Sequence, residues 1–128
     1  MHARSSIPML LSLTICNQTM KLLTQDTVDI WHIDASTAVN LSQICSKLLS
    51  SDELQRAGRF HFERDRVRFI TVHAAMRTIL GAYLNTTPGE LAFSYARKGK
   101  PELAPNFSQA GLRFNLAHSR DHALLAVT

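Results

Sequence analysis

The chain has 128 residues, 45% hydrophobic and 19% charged, which suits one globular domain and excludes a disordered chain or two full domains. A domain of this size buries roughly two-thirds of the surface its unfolded form exposes, so its core needs no disulfide or metal staple. Fourteen Lys and Arg against ten Asp and Glu give a net charge of +4, a mild excess that suits an anionic partner without naming it.

An apolar-leaning run at residues 7–16 follows Arg4 and is interrupted by Pro8, Ser12 and Thr14. It is far shorter than the roughly 20 residues that cross a bilayer, and no small-x-small cleavage site follows it convincingly. Residues 1–27 therefore read as a poorly defined amino-terminal extension ahead of a domain at residues 28–128, with no membrane segment. The two cysteines, Cys16 and Cys45, lack CxxC spacing, so a reducing cytoplasm is the expected location.

Val28, Ile30 and His32 alternate with Asp29, Trp31 and Ile33, a β-branched and aromatic pattern that predicts an early strand. Asp29 and Asp34 on it read as solvent-facing. Residues 41–49 look helical, with Leu41, Ile44, Leu48 and Leu49 near one face. Ser50 followed three residues later by Glu53 is a capping-box signature that starts another helix, weakened near its end by Gly58.

The most regular element spans residues 65–83. Phe69, Val72, Met76, Ile79 and Tyr83 recur at helical spacing, and Val67, Ile70 and Ala74 widen the arc. A second stripe, Arg68, Thr71, Ala75, Thr78 and Ala82, is small or polar and suits close approach of a neighbouring element or a ligand. Between Glu53 and Arg77 stand six arginines and three acids, so basic charge is concentrated here. This segment has no aromatic platform or groove-reading motif for nucleic acid, and no nucleic-acid partner is expected.

Residues 85–90 (NTTPGE) form a turn, and Leu91, Phe93 and Tyr95 alternate through a short strand. Residues 96–111 read as a loop bearing Lys98, Gly99, Lys100 and Pro101. Leu112, Phe114 and Leu116 alternate into AHSRDH, and Ala123, Leu125 and Val127 make a last strand that reaches Thr128 without a closing turn. That ending leads us to expect further chain beyond it.

The strand–turn–strand at residues 112–127 gathers Asn115, His118, Ser119, Arg120, Asp121 and His122 at a strand end. Four readings stay open on the residues alone. His118, Asp121 and His122 could ligate a metal, although HxxDH on a turn is not a helical i, i+4 pair. Ser119 could be a nucleophile, although adjacent His118 points away from it. Backbone N–H groups, His118 and Lys100 could hold phosphate. The fourth reading is a polar turn with satisfied histidines.

GKPELAP at residues 99–105 and LRFNLAHSRDHALLAV at residues 112–127 resemble two successive motifs of the 4'-phosphopantetheinyl transferases of the Sfp type. LSSDELQRAGRFHFERDRVRF at residues 49–69 and MRTILGAYL at residues 76–84 are similar to the preceding helix, basic segment and next helix of that family. The matches are co-linear over residues 28–128, and together they are far more specific than any one alone.

The resemblance implies an α+β fold: one subdomain of a pseudo-twofold pair, with a small, mostly antiparallel sheet packed on a long helix. It implies transfer of the phosphopantetheine arm of coenzyme A to a serine of an apo acyl or peptidyl carrier protein. Lys100 and His118 take the places of a phosphate-binding lysine and of a histidine that reaches the pyrophosphate. Arg56 and Arg68 take basic positions facing the nucleotide and its 3'-phosphate. Ala117 stands where relatives carry a phosphate-holding serine, so only a neighbouring backbone N–H could contribute there. Glu53 replaces a lysine near the adenine, and Phe69 a small hydroxyl residue.

The G-x-D-x-E and W-x-x-K-E motifs, whose acidic residues bind Mg²⁺ in relatives, do not occur in this sequence. The short, trimeric acyl carrier protein synthases of the same superfamily carry G-x-D and W-x-x-K-E motifs themselves. Mg²⁺ is expected for the complete enzyme, with ligands that this chain lacks. The expectation is a coenzyme A phosphate-binding half that is inactive alone and is completed by a carboxy-terminal half; the other function class is a non-catalytic module that binds coenzyme A or protein.

Overall fold

A computed structural model of the chain describes residues 15–21, 27–36, 42–95, 99–108 and 111–128. Strands β1 (Ile15–Lys21) and β2 (Thr27–Asp34) precede helices α1 (Ser42–Ser46), α2 (Ser51–Gly58) and α3 (Glu63–Leu84). A 3₁₀ turn at Pro88–Glu90 leads to β3 (Phe93–Tyr95), β4 (Pro101–Leu103), the short α4 (Pro105–Ser108), β5 (Phe114–Ser119) and β6 (His122–Val127).

The architecture is α+β. An antiparallel sheet in the order β1-β2-β6-β5 and a β3–β4 hairpin accompany the 22-residue helix α3. Strand β1 falls within the residues read as an extension and pairs with β2 from Ile15↔Ile33 to Lys21↔Thr27. Thr27, the last residue of that extension, opens β2; its residues 1–14 and 22–26, the predicted helix start at Leu41 and loop residues 96–98 and 109–110 lie outside the described residues.

Helix α2 begins where its sequence signature places it. Glu53 N–H donates to Ser50 Oγ at 3.2 Å, and Ser50 N–H donates to Glu53 Oε1 at 2.8 Å, so two of the helix's orphan donors are satisfied reciprocally. Helix α3 ends at Asn85, whose φ of 53° places it in the left-handed region that asparagine tolerates.

The apolar arc predicted for α3 divides between two cores. Val67, Val72, Met76 and Ile79 pack with Trp31, Ile33, Ala123, Leu125 and Val127 of the sheet. Ile70 and Ala74 pack on the other side with Cys45, Leu49 and Ala57. Sandwiched between sheet and short helices, α3 is buried almost all round from Ile70 to Gly81. The small, polar stripe serves this packing: Ala75 lies in the sheet-side core, and Thr78 Oγ1 donates back to Ala74 O at 2.9 Å.

Two sequence expectations change. Asp29 is not solvent-facing: it is buried, because the same alternation that turns Trp31 and Ile33 inward turns Asp29 inward too. Its Oδ2 accepts from the Tyr83 hydroxyl, which accepts from Trp31 Nε1 at 3.0 Å. Nor is the predicted loop at residues 96–111 continuous, since it contains β4 and α4. Pro101 opens β4, a position where its missing N–H does no harm to the ladder.

Candidate functional site

One pocket of about 630 Å³ is built from four parts of the chain. Helix α2 contributes Arg56, and α3 contributes Arg68, Phe69, Val72 and His73. The β3–β4 hairpin contributes Tyr95, Lys100 and Pro101, and β5 contributes Leu116 and His118. Arg56, Arg68, Lys100 and His118 thus line a single cavity although they span residues 56–118.

Ala117 does not join them. Lying between Leu116 and His118, it falls on the opposite face of β5 by strand alternation, where it lines a shallow hollow with His32, His122 and Leu124. His118 borders both cavities. Arg113 and Thr128 exchange both backbone bonds at 3.0 Å. Continued along the register, that alternation turns the Ala117 N–H toward β6 and those of Leu116 and His118 toward the outer edge of β5, which pairs with no other described strand.

The cationic groups differ in freedom. The Arg68 Nε donates to Asp121 Oδ1 at 2.5 Å, and its Nη1 donates to Asp65 Oδ1 at 3.3 Å. The Arg56 guanidinium lies over the Tyr95 ring, 4.0 Å from its centroid, which fixes its plane through a cation–π contact. Lys100 is exposed. Burial, reinforced by the Glu53 charge, raises the Tyr95 phenol above its ordinary pKa, while Arg56 and Arg77 oppose the shift. Tyr95 therefore stays a neutral hydroxyl across the physiological range.

The pocket also has an aromatic floor. Phe60 and Phe69 lie 5.5 Å apart, and the His73 ring stacks on Phe69 at 3.9 Å and 23°. His73 Nδ1 donates to Phe69 O at 2.9 Å, which leaves Nε2 as the acceptor of the neutral ring. Burial holds the His73 pKa below the ordinary histidine value. This floor was missed in the sequence, although the i, i+4 spacing of Phe69 and His73 was a usable signal.

Glu53 does not line the pocket. It is buried, and its Oε1 accepts from Arg77 Nε at 2.7 Å. Arg77 in turn donates through Nη1 to Pro88 O at 2.9 Å and Leu91 O at 2.7 Å. The described residues do not fit a Mg²⁺ site: no group of three or more His, Cys, Asp or Glu is arranged to hold a metal. Asp65 and Asp121 are both engaged by Arg68, so no metal step is derived from them.

A cationic rim over an aromatic floor suits a nucleotide carrying several phosphates. The family described as "4'-phosphopantetheinyl transferase, N-terminal" matches residues 35–128. The chain belongs to the 4'-phosphopantetheinyl transferase family. It is 44% identical over 105 residues to the 4'-phosphopantetheinyl transferase HetI of Nostoc sp. (strain PCC 7120), covering 82% of this chain and 44% of that protein. It is 30% identical over 80 residues to the human L-aminoadipate-semialdehyde dehydrogenase-phosphopantetheinyl transferase, covering 61% of this chain and 26% of that protein. The chain thus spans less than half the length of these relatives. Among the described residues, no helix is long and apolar enough to cross a membrane.

Proposed function

We propose that this phosphopantetheinyl transferase chain binds coenzyme A in the pocket and supplies the phosphate-binding half of a holo-carrier-protein synthase. The observation that carries the reading is the convergence of Arg56, Arg68, Lys100 and His118 on one pocket with an aromatic floor. Phe60, Phe69 and His73 offer a surface for the adenine ring. Arg56, Arg68 and Lys100 offer charge to the phosphates. His118 donates to the pyrophosphate and stabilises the charge that develops as it breaks. Ala117 takes part only through the backbone beside it, by way of the N–H groups at the edge of β5.

In the overall reaction, the serine oxygen of an apo acyl or peptidyl carrier protein bonds to the phosphorus next to pantetheine. The bond from that phosphorus to the bridging oxygen breaks, the serine proton is released, and 3',5'-ADP leaves with the electron pair. The reading further takes the chain as inactive alone and completed by a carboxy-terminal half in a cytoplasmic enzyme; it is supported by a sequence without the G-x-D-x-E and W-x-x-K-E motifs that would supply carboxylates for Mg²⁺. The same observation favours one alternative, a non-catalytic module that holds coenzyme A or protein.

Calorimetry with coenzyme A and 3'-dephospho-coenzyme A tests the binding reading. Tighter binding of the 3'-phosphorylated form supports the arginine assignments, and equal binding overturns them. Incubation of the 128-residue chain with coenzyme A, Mg²⁺ and an apo carrier protein tests completeness. A metal-dependent gain in carrier mass would refute the claim that the chain is inactive alone.

A further inference from the structure

Arg68 reaches across from α3 to a hairpin turn far away in the sequence. Its partner Asp121 stands with Arg120 in the two-residue turn between β5 and β6, immediately after Ser119↔His122 in the register. Arg120 takes the left-handed φ of 53° that such turns require of their first central residue. The turn is also tied from behind, because Ala35 N–H donates to Asp121 O at 2.7 Å. Asp121 is therefore bonded through its backbone to the end of β2 and through its carboxylate to α3.

Between them, Asp121 and Asp65 take the Nε and Nη1 edges of the guanidinium. Neither uses Nη2, and Arg68 lines the pocket. An arginine clamped in this way has already lost much of its side-chain freedom, so a ligand that meets it does not bear that cost. We propose that Asp121 is a positioning residue, acting through Arg68 to hold a guanidinium edge toward the phosphates of the bound nucleotide. This rests on the coenzyme A reading of the pocket.

The inference has a sign that simple electrostatics does not share. By charge alone, Asp121→Asn removes a negative group near a polyanion and strengthens binding. By positioning, the same substitution frees Arg68 and weakens binding. Removing a hydrogen-bonded charged partner corresponds to a loss of about tenfold.

Two measurements decide it, with thermal unfolding confirming that each variant is folded. Calorimetry with coenzyme A on the 128-residue chain is expected to show about tenfold weaker binding for Asp121→Asn, partial recovery for Asp121→Glu, and no further loss from Asp121→Asn in an Arg68→Ala background. Equal or tighter binding by Asp121→Asn, or an undiminished loss in the Arg68→Ala background, overturns the proposal. Nitrogen-15 NMR of the ligand-free chain is expected to show a solvent-protected Arg68 Nε–H signal that Asp121→Asn abolishes. A signal that persists in Asp121→Asn overturns the proposal even if the wild-type chain fails to bind coenzyme A, an outcome that would separately sink the coenzyme A reading.

Discussion

Arg77→Met tests the energetic centre of the helical layer. The Arg77–Glu53 ion pair is 2% and 1% exposed at its two side chains, with a 2.7 Å contact, and Arg77 also caps the carbonyls of Pro88 and Leu91. Methionine would fill similar space but leave the Glu53 carboxylate buried without its counter-charge and two carbonyls without this donor. Breaking one partner of such a buried pair costs about 3–5 kcal/mol, a large share of the roughly 5–15 kcal/mol that holds a domain folded. With a urea m-value of about 1.5 kcal/mol/M, the midpoint should fall by about 2–3 M, read by circular dichroism. Glu53→Gln combined with Arg77→Met should cost less than the sum of the single changes, because the stranded charge is gone. Arg77 does not line the pocket, yet it joins α2, which carries Arg56, to the segment leading to Tyr95; coenzyme A binding should weaken as well. A loss under about 1 kcal/mol for Arg77→Met would refute the reasoning, since that is the worth of a solvent-screened pair.

Gly81→Ala should destabilise the chain by about 1–3 kcal/mol in urea unfolding despite alanine's better helix propensity, because the added Cβ would meet Thr86 O at 2.5 Å; a more stable variant contradicts this. Ser50→Ala should cost about 1 kcal/mol, seen as a lower Tm, with an unchanged Tm counting against the cap's contribution. Stability should fall as pH drops below about 6.5, the ordinary histidine value, because the unfolded chain takes up a proton that burial denies to His73 in the fold. The His73 contribution is fully present above that pH and is lost toward the lowered folded pKa. His73→Phe should flatten this slope between pH 5 and 7, and an equally steep slope would dismiss His73 as its source.

The helical period of α3, the Ser50–Glu53 cap and the β5–β6 hairpin were legible because each is a local code, closed within a few residues. Lys100 and His118 were legible from the residues alone as one of four open readings, and family motifs singled that reading out; that both line one pocket needed the tertiary structure. Strand β4 and helix α4 escaped notice because elements of three and four residues are too short to display a period. The role of Glu53 was not legible: its place in the capping box was read from its spacing, but its buried pairing with Arg77, 24 residues away, has no local signature and arises where no water competes for the charge.

The sequence by itself determined the family, the order of the longer elements from β2 onward and which residue types could meet phosphate. Tertiary structure decided which of them meet. The Arg68–Asp121 contact joins residues 53 positions apart, and the Tyr83–Asp29 contact joins residues 54 apart. No local pattern encodes such pairs. They form because packing α3 between the sheet and the short helices brings distant polar groups together; buried Asp29 must find its partner within the protein, whereas half-buried Arg68 and Asp121 meet at the pocket wall.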